Sequence, residues 1–231
     1  MSTDASGRVL VAVDGPSGSG KSSVSRSAAQ QLGFDYLDTG SAYRSLAWFA
    51  LEQGIDMHEA GDVIDLLEDF ELRLALDPFD REVFVGEANV TEAIRGTRVS
   101  AAVSSVARIA GVREWLNDRF RLLMTHGDHD NPRPGIITEG RDITTIVAPH
   151  AQVRVLLTAS DEVRQARRAL ELGEARDNVS AIVTERDAQD MRVVDFMNAA
   201  EGVTVLDSTE LSFEETVAAL VSMVRAATSS R

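Results

Sequence analysis

Apolar positions along the chain fall into short unbroken runs separated by longer stretches with helical spacing. Val9-Leu10-Val11-Ala12-Val13 is one such run, the pattern of a strand covered on both faces. After a glycine-rich turn over 15–20, residues 21–32 put Val24, Ala28 and Leu32 on one helical face and stop at Gly33. The pattern then predicts a strand at 34–37, a helix at 41–53 closed by Gly54, and another helix at 58–69. Over 71–86 the period drops to two. Leu72, Leu74 and Leu76 alternate with Arg73 and Ala75, Asp77-Pro78-Phe79-Asp80 is turn chemistry, and Val83 and Val85 alternate again, which predicts an antiparallel hairpin.

Helical spacing resumes near Thr91 and runs to Met124, with a break expected at Gly111. The loop 125–135 carries His126 and His129 among Gly, Asp and Pro, a setting in which histidines read as solvated rather than metal-bound. Further strands are predicted at 136–138, 153–158 and 203–206, and helices at 161–172 and 178–198. Ser212-x-x-Glu215 is a capping box that opens the last helix. Five short apolar strands alternating with helices predict an α/β fold: a doubly wound parallel five-stranded sheet flanked by helices, with the hairpin as a small antiparallel insertion. No internal repeat interrupts it, and 231 residues suit one domain, 1–231.

Charge narrows the function. Lys and Arg number 23 against 37 Asp and Glu, a net charge of −14, which argues against a general nucleic-acid or anionic-membrane surface but leaves room for a local arginine pocket. With no cysteine, disulfides, thiolate-bound zinc and a thiol nucleophile are excluded. Residues 1–7 are polar and too short for a signal peptide, and no apolar run nears the roughly 20 residues of a membrane span. The expectation is a soluble cytoplasmic protein. Only one of the 23 cations is a lysine, Lys21. Where arginine serves everywhere else, that position calls for a compact ammonium.

Lys21 lies in Gly15-Pro16-Ser17-Gly18-Ser19-Gly20-Lys21-Ser22, a full match to G-x-x-x-x-G-K-[ST] placed after a strand and opening a helix. The backbone N–H groups of such a P-loop cradle phosphate oxygens, the lysine reaches the β- and γ-phosphates, and the Ser22 hydroxyl binds the Mg²⁺ carried by ATP. The fold is therefore expected to be P-loop NTP hydrolase-like. A GTPase needs a second lysine for guanine, and the chain has none. A motor-type ATPase needs more chain and an acidic strand end, and none is evident. The sequence offers arginines instead: Arg44, Arg113, Arg141, Arg164, Arg167, Arg168 and Arg186. Bringing two anions together needs such cations.

Several segments together resemble the bacterial cytidylate kinases, nucleoside monophosphate kinases acting on CMP and dCMP. They are Asp14 to Gly18, Leu37-Asp38-Thr39-Gly40 with Tyr43-Arg44, Ser104, Val112-Arg113-Glu114, Glu139-Gly140-Arg141-Asp142 with Thr145, Glu185-Arg186-Asp187 with Asp190, and Leu206-Asp207-Ser208-Thr209. The resemblance implies ATP binding by Gly15 to Ser23, with Lys21, Arg141, Arg164 and Arg168 catalytic. It implies CMP binding by Thr39, Tyr43, Arg44, Ser104, Arg113, Arg141, Asp142, Arg186 and Asp190. Within that set Arg44 and Arg141 hold the acceptor phosphate, Ser104, Arg113 and Asp142 read cytosine, and Arg186 and Asp190 contact ribose. It also implies an insertion over 71–100 in the monophosphate-binding region and a short lid over about 160–185 that closes on ATP.

Elementary geometry qualifies this. Arg186 and Asp190 are i, i+4 and share a helix face. Ser104 and Arg113 stand about 180° apart on a straight helix, so they converge only across a break. In the family an arginine stands three positions after the second aspartate, whereas Arg192 is two after Asp190, about 200° away on a continuous helix. A family glycine is replaced by Thr144. The expected reaction is ATP + (d)CMP = ADP + (d)CDP in pyrimidine nucleotide metabolism. Mg²⁺ enters with ATP, and the enzyme is expected to be a monomer with neither nucleic acid nor membrane as partner. The alternatives are a small-metabolite kinase on the same core and a nucleotide-binding regulatory module without turnover.

Overall fold

A computed structural model of the chain describes residues 7–128, 131–172, 191 and 195–229. Its centre is β1 (Val9–Asp14), which pairs in parallel with β6 (Gly135–Gly140) on one side and β7 (Val153–Thr158) on the other. β2 (Asp35–Asp38) flanks β6 and β8 (Thr204–Asp207) flanks β7, so the order is β2-β6-β1-β7-β8, all parallel. Side chains alternate across the sheet. Val11 and Val13 join the core under α1 (Lys21–Leu32) and α7 (Phe213–Ser229). Ala12 joins the opposite core with α2 (Thr39–Glu52), α4 (Thr97–Ala107) and α5 (Ala110–His126). Coverage of both faces is why these strands read as unbroken apolar runs.

Local chemistry sets the ends of the elements. α1 stops where Gly33 turns left-handed at φ 68°, and the Ser212–Glu215 box forms reciprocally, Glu215 N to Ser212 Oγ at 3.2 Å and Ser212 N to Glu215 Oε2 at 2.9 Å. The predicted helix at 58–69 is α3 (Ala60–Asp65) followed by a 3₁₀ turn to Glu68. The long helical stretch breaks at Arg108 and Ile109, two residues before Gly111. Ile109 is extended (φ −78°, ψ 118°) because its buried side chain is drawn into the core. Gly111 serves inside the first turn of α5, where a Cβ would stand 3.0 Å from Ile64.

The insertion has three strands rather than a hairpin: β3 (Leu72–Leu74), β4 (Val83–Val85) and β5 (Ala88–Asn89). Gly86, at φ 55°, supplies the two-residue turn that adds the third. Its first turn docks on the body through Arg26 to Asp80 O (2.9 Å), Gln30 to Pro78 O (2.9 Å) and the Arg133–Asp77 ion pair (3.0 Å). α6 (Asp161–Leu172) forms as expected. Most of the predicted helix 178–198 lies outside the described residues. Its end is not helical, since Asp195 caps its own turn by accepting from the N–H groups of Met197 and Asn198 at 3.1 Å. No helix among the described residues is long and apolar enough to cross a membrane.

Candidate active site

A cleft of about 1060 Å³ opens at the carboxyl ends of the strands, where ligands of open α/β sheets bind. Ser17 to Ser23 form one wall, and the far end carries Tyr43, Arg44, Ser104, Arg113 and Asp142. Among its described lining residues ten are cations and four are acids, the reverse of the whole chain. The cleft is therefore a positive hollow in a negative body, suited to phosphates.

The loop between β1 and α1 is shaped from below. Gly18 adopts φ +73° and passes so close to α6 that a Cβ would lie 2.3 Å from Arg164 O. Arg164 donates to Ser17 O at 2.8 Å and pairs with Asp161 at 2.7 Å. Arg167 donates to Ser19 O at 3.3 Å and to Ser208 Oγ at 2.9 Å, holding the loop to the end of β8. Lys21 Nζ donates to Pro16 O at 3.3 Å.

Two acids stand at the floor. The Glu139 carboxylate accepts from Ser22 Oγ at 2.6 Å and from the Tyr36 hydroxyl at 3.3 Å. Burial, with the Asp38 charge beside it, pushes Glu139 up to about 7, while Lys21 pulls the other way. Asp38 caps α2, accepting from Ser41 N (3.0 Å) and Ser41 Oγ (2.8 Å). Asp38 ends β2 and Glu139 is the penultimate residue of β6, so acids do stand at strand ends. The expectation of none is corrected, and the visible sign was Asp38 directly after Leu37 and Glu139 after Ile136-Ile137-Thr138. The serine hydroxyl and these carboxylates form a hard-oxygen donor set of the kind that suits a divalent cation with retained water.

At the far end Asp142 is only 5% exposed and accepts from Arg113 in an ion pair. Burial pushes its carboxyl up and Arg113 pulls it down. Arg141 donates to Gly15 O at 3.2 Å and lies over the Phe196 ring at 4.2 Å. Arg44 donates to Ser100 Oγ at 3.0 Å.

A family model described as cytidylate kinase matches residues 11–226. The chain belongs to the cytidylate kinase family. It is 43% identical over 219 residues to a cytidylate kinase of Cutibacterium acnes, spanning 94% of this chain and 96% of the relative. A cytidylate kinase of Exiguobacterium sibiricum is 37% identical, spanning 95% and 98%, and one of Rhodococcus jostii is 37% identical, spanning 94% and 95%.

Of the residues that the cytidylate kinase resemblance singles out, the structure brings Thr39, Tyr43, Arg44, Ser104, Arg113, Arg141 and Asp142 to one cleft with Ser17–Ser23 and Arg168. Gly15 and Pro16 lie behind its surface. Ser104 and Arg113 converge across the Arg108–Ile109 break, as required, though not by way of Gly111. The Thr39 hydroxyl is committed to Glu139 O at 2.8 Å, while the buried Tyr43 hydroxyl has no hydrogen-bond partner among the described residues. Arg164 is buried beneath the P-loop, where its guanidinium supports the Ser17 carbonyl. Arg186, Asp190 and Arg192 lie outside the described residues.

Proposed function

We propose that this chain transfers the γ-phosphoryl group of ATP to the 5′-phosphate of CMP or dCMP, releasing ADP and CDP or dCDP, as part of pyrimidine nucleotide metabolism. One observation carries the reading: a buried Asp142–Arg113 pair faces the same cleft as the P-loop. Cytosine offers an amine at C4 and acceptors at N3 and O2. A carboxylate and a guanidinium side by side complement that edge.

The backbone of Ser17 to Ser23 and Lys21 hold the β- and γ-phosphates, and Arg168 adds charge from α6. Arg44 and Arg141 hold the acceptor phosphate, Ser104 assists the base readers, and Arg186 with Asp190 takes the ribose. Arg164 acts through the loop it supports. An anionic oxygen of the acceptor attacks the γ-phosphorus. The bond from that phosphorus to the bridging oxygen breaks, and its electron pair stays on the ADP β-phosphate. The acceptor oxygen needs no base, so catalysis is positioning and charge neutralisation in a cleft emptied of water. Ser22, with Glu139 behind it, would hold the Mg²⁺ that enters with ATP, and this ion would supply charge neutralisation for the transferring phosphoryl group.

In this reading the chain works as one domain with its insertion over 71–100 and a lid over about 160–185, of which 173–185 lie outside the described residues, as a cytoplasmic monomer without nucleic-acid or membrane partners. The test is ADP release measured with CMP, dCMP, UMP, AMP and shikimate in turn. CMP and dCMP are expected to give the highest kcat/KM, and a preference for any of the other three overturns the reading.

A further inference from the structure

Asp14 ends β1, one residue before the P-loop, and is only 2% exposed. It stands in register with Gly140, so the chain leaving β6 runs directly past its carboxylate. That carboxylate accepts from Ile143 N at 2.9 Å, Thr144 N at 2.8 Å and Thr144 Oγ1 at 2.6 Å. A second tie returns across the gap, from Arg141 to Gly15 O at 3.2 Å. The Arg141–Asp142 segment is thus tied at two points: Arg141 itself grips the donor loop, and the two residues after Asp142 are gripped by the residue that leads into that loop.

A buried carboxylate is costly unless its oxygens are matched by donors, and here three converge on it. They come from the start of the Ile143–Val147 π turn, an irregular segment whose path needs an outside anchor. The Thr144 hydroxyl supplies the third donor. The P-loop has other anchors, Arg164 at Ser17 O and Arg167 at Ser19 O. Loosening the Asp14 contact therefore frees the acceptor segment more than the donor loop.

We infer that Asp14 is a positioning residue, a clamp that holds the backbone of Ile143 and Thr144 and so fixes Arg141 and Asp142 at reacting distance from the P-loop, with the Thr144 hydroxyl as its third arm. This rests on the proposed reaction, because the spacing matters only if a donor at the loop meets an acceptor at Arg141 and Asp142. Transfer needs reacting atoms about 3–3.5 Å apart, and a displacement of about 1 Å costs about 100-fold.

The experiment compares unmutated chain, Thr144→Val, Thr144→Ser and Asp14→Asn by kcat, KM for CMP, KM for ATP and Tm. Thr144→Val keeps shape and loses the hydroxyl, and is expected to lower kcat/KM for CMP about tenfold, the worth of one hydrogen bond to a charged group. KM for ATP is expected to hold within about twofold, and Thr144→Ser to restore the CMP value. Asp14→Asn turns a donor toward other donors, and kcat is expected to fall about 100-fold. The clamp is overturned if folded Thr144→Val and Asp14→Asn keep unmutated CMP kinetics, if ATP and CMP parameters worsen equally, or if Tm alone moves. Absence of CMP phosphorylation in the unmutated chain is a different result, one that removes the proposed reaction and the clamp with it.

Discussion

The Ser22 hydroxyl donates to the Glu139 carboxylate at 2.6 Å, joining the first turn of α1 to the end of β6. Two segments 117 positions apart in the sequence thereby meet at the floor of the cleft. Glu139 is held from behind by Tyr36, itself buried and covered by the Arg26 guanidinium at 4.7 Å.

This burial gives the ligand-free protein a pH signature. Glu139 has an ordinary value of 4.5 and is raised to about 7 in the fold. Between those values the folded state keeps a proton that the unfolded chain releases, so stability falls as pH rises through the window and the penalty is complete above it. Melting of unmutated chain and Glu139→Gln at pH 5 and pH 8 checks this. The variant is expected to lose part of the decline, and identical slopes would refute the assignment.

Lys21→Arg keeps the charge but puts a planar fork in a cradle fitted to an ammonium. Turnover is expected to fall by about 10²–10³ with Tm little changed, as for loss of one electrostatic stabiliser. Steady-state assay of the folded variant decides it, and near-normal turnover would exclude the role.

Asp142→Ala leaves Arg113 without its partner and, in the proposed reading, removes the acceptor for the cytosine amine. CMP activity is expected to drop far more than UMP activity, so the ratio of their kcat/KM values collapses by about 10². Equal weakening of both substrates would mean that Asp142 merely supports Arg113 and Arg141.

Arg164 and Arg168 are expected to separate. Arg164→Ala removes the prop under Ser17 and should raise KM for ATP while lowering Tm; Arg168→Ala, on the cleft wall, should lower kcat at unchanged Tm. Calorimetry beside kinetics distinguishes them, and a Tm loss in Arg168→Ala alone reverses the two roles.

Asp35 accepts from Arg8 and pairs with Arg133 at 3.5 Å, deep below the insertion. Asp35→Ala strands a buried guanidinium, and denaturant unfolding should show a loss of about 3–5 kcal/mol. A loss under about 1 kcal/mol, the range of exposed pairs, would count against a structural role.

Much of this was legible in the chain because its signals are local. The apolar runs of β1 and β7, the Gly33 stop and the Ser212–Glu215 box each depend on a few neighbouring residues, and each formed as expected. The resemblance drew Arg44, Ser104, Arg113 and Asp142 into one site, and the fold brings them to one cleft. What escaped was relational. Arg164 sits beneath the loop because α6 packs against Gly18, a contact between positions 146 apart that no local pattern encodes. Glu139 and Asp38 looked like acids after strands, and only the sheet order β2-β6-β1 places them beside Ser22. Thr144 looked like a departure, and acquires its meaning from Asp14, 130 positions away.

The single lysine of the chain also makes the protein chemically addressable. An acylating reagent aimed at side-chain amines has one target, and that target lines the nucleotide cleft. A lysine-specific protease has one bond to cut, immediately after Lys21 at the head of α1. Both reactions therefore report occupancy directly: bound nucleotide should shield the amine and the bond together, so that a mass spectrum or a gel reads the state of the site without any assay of turnover.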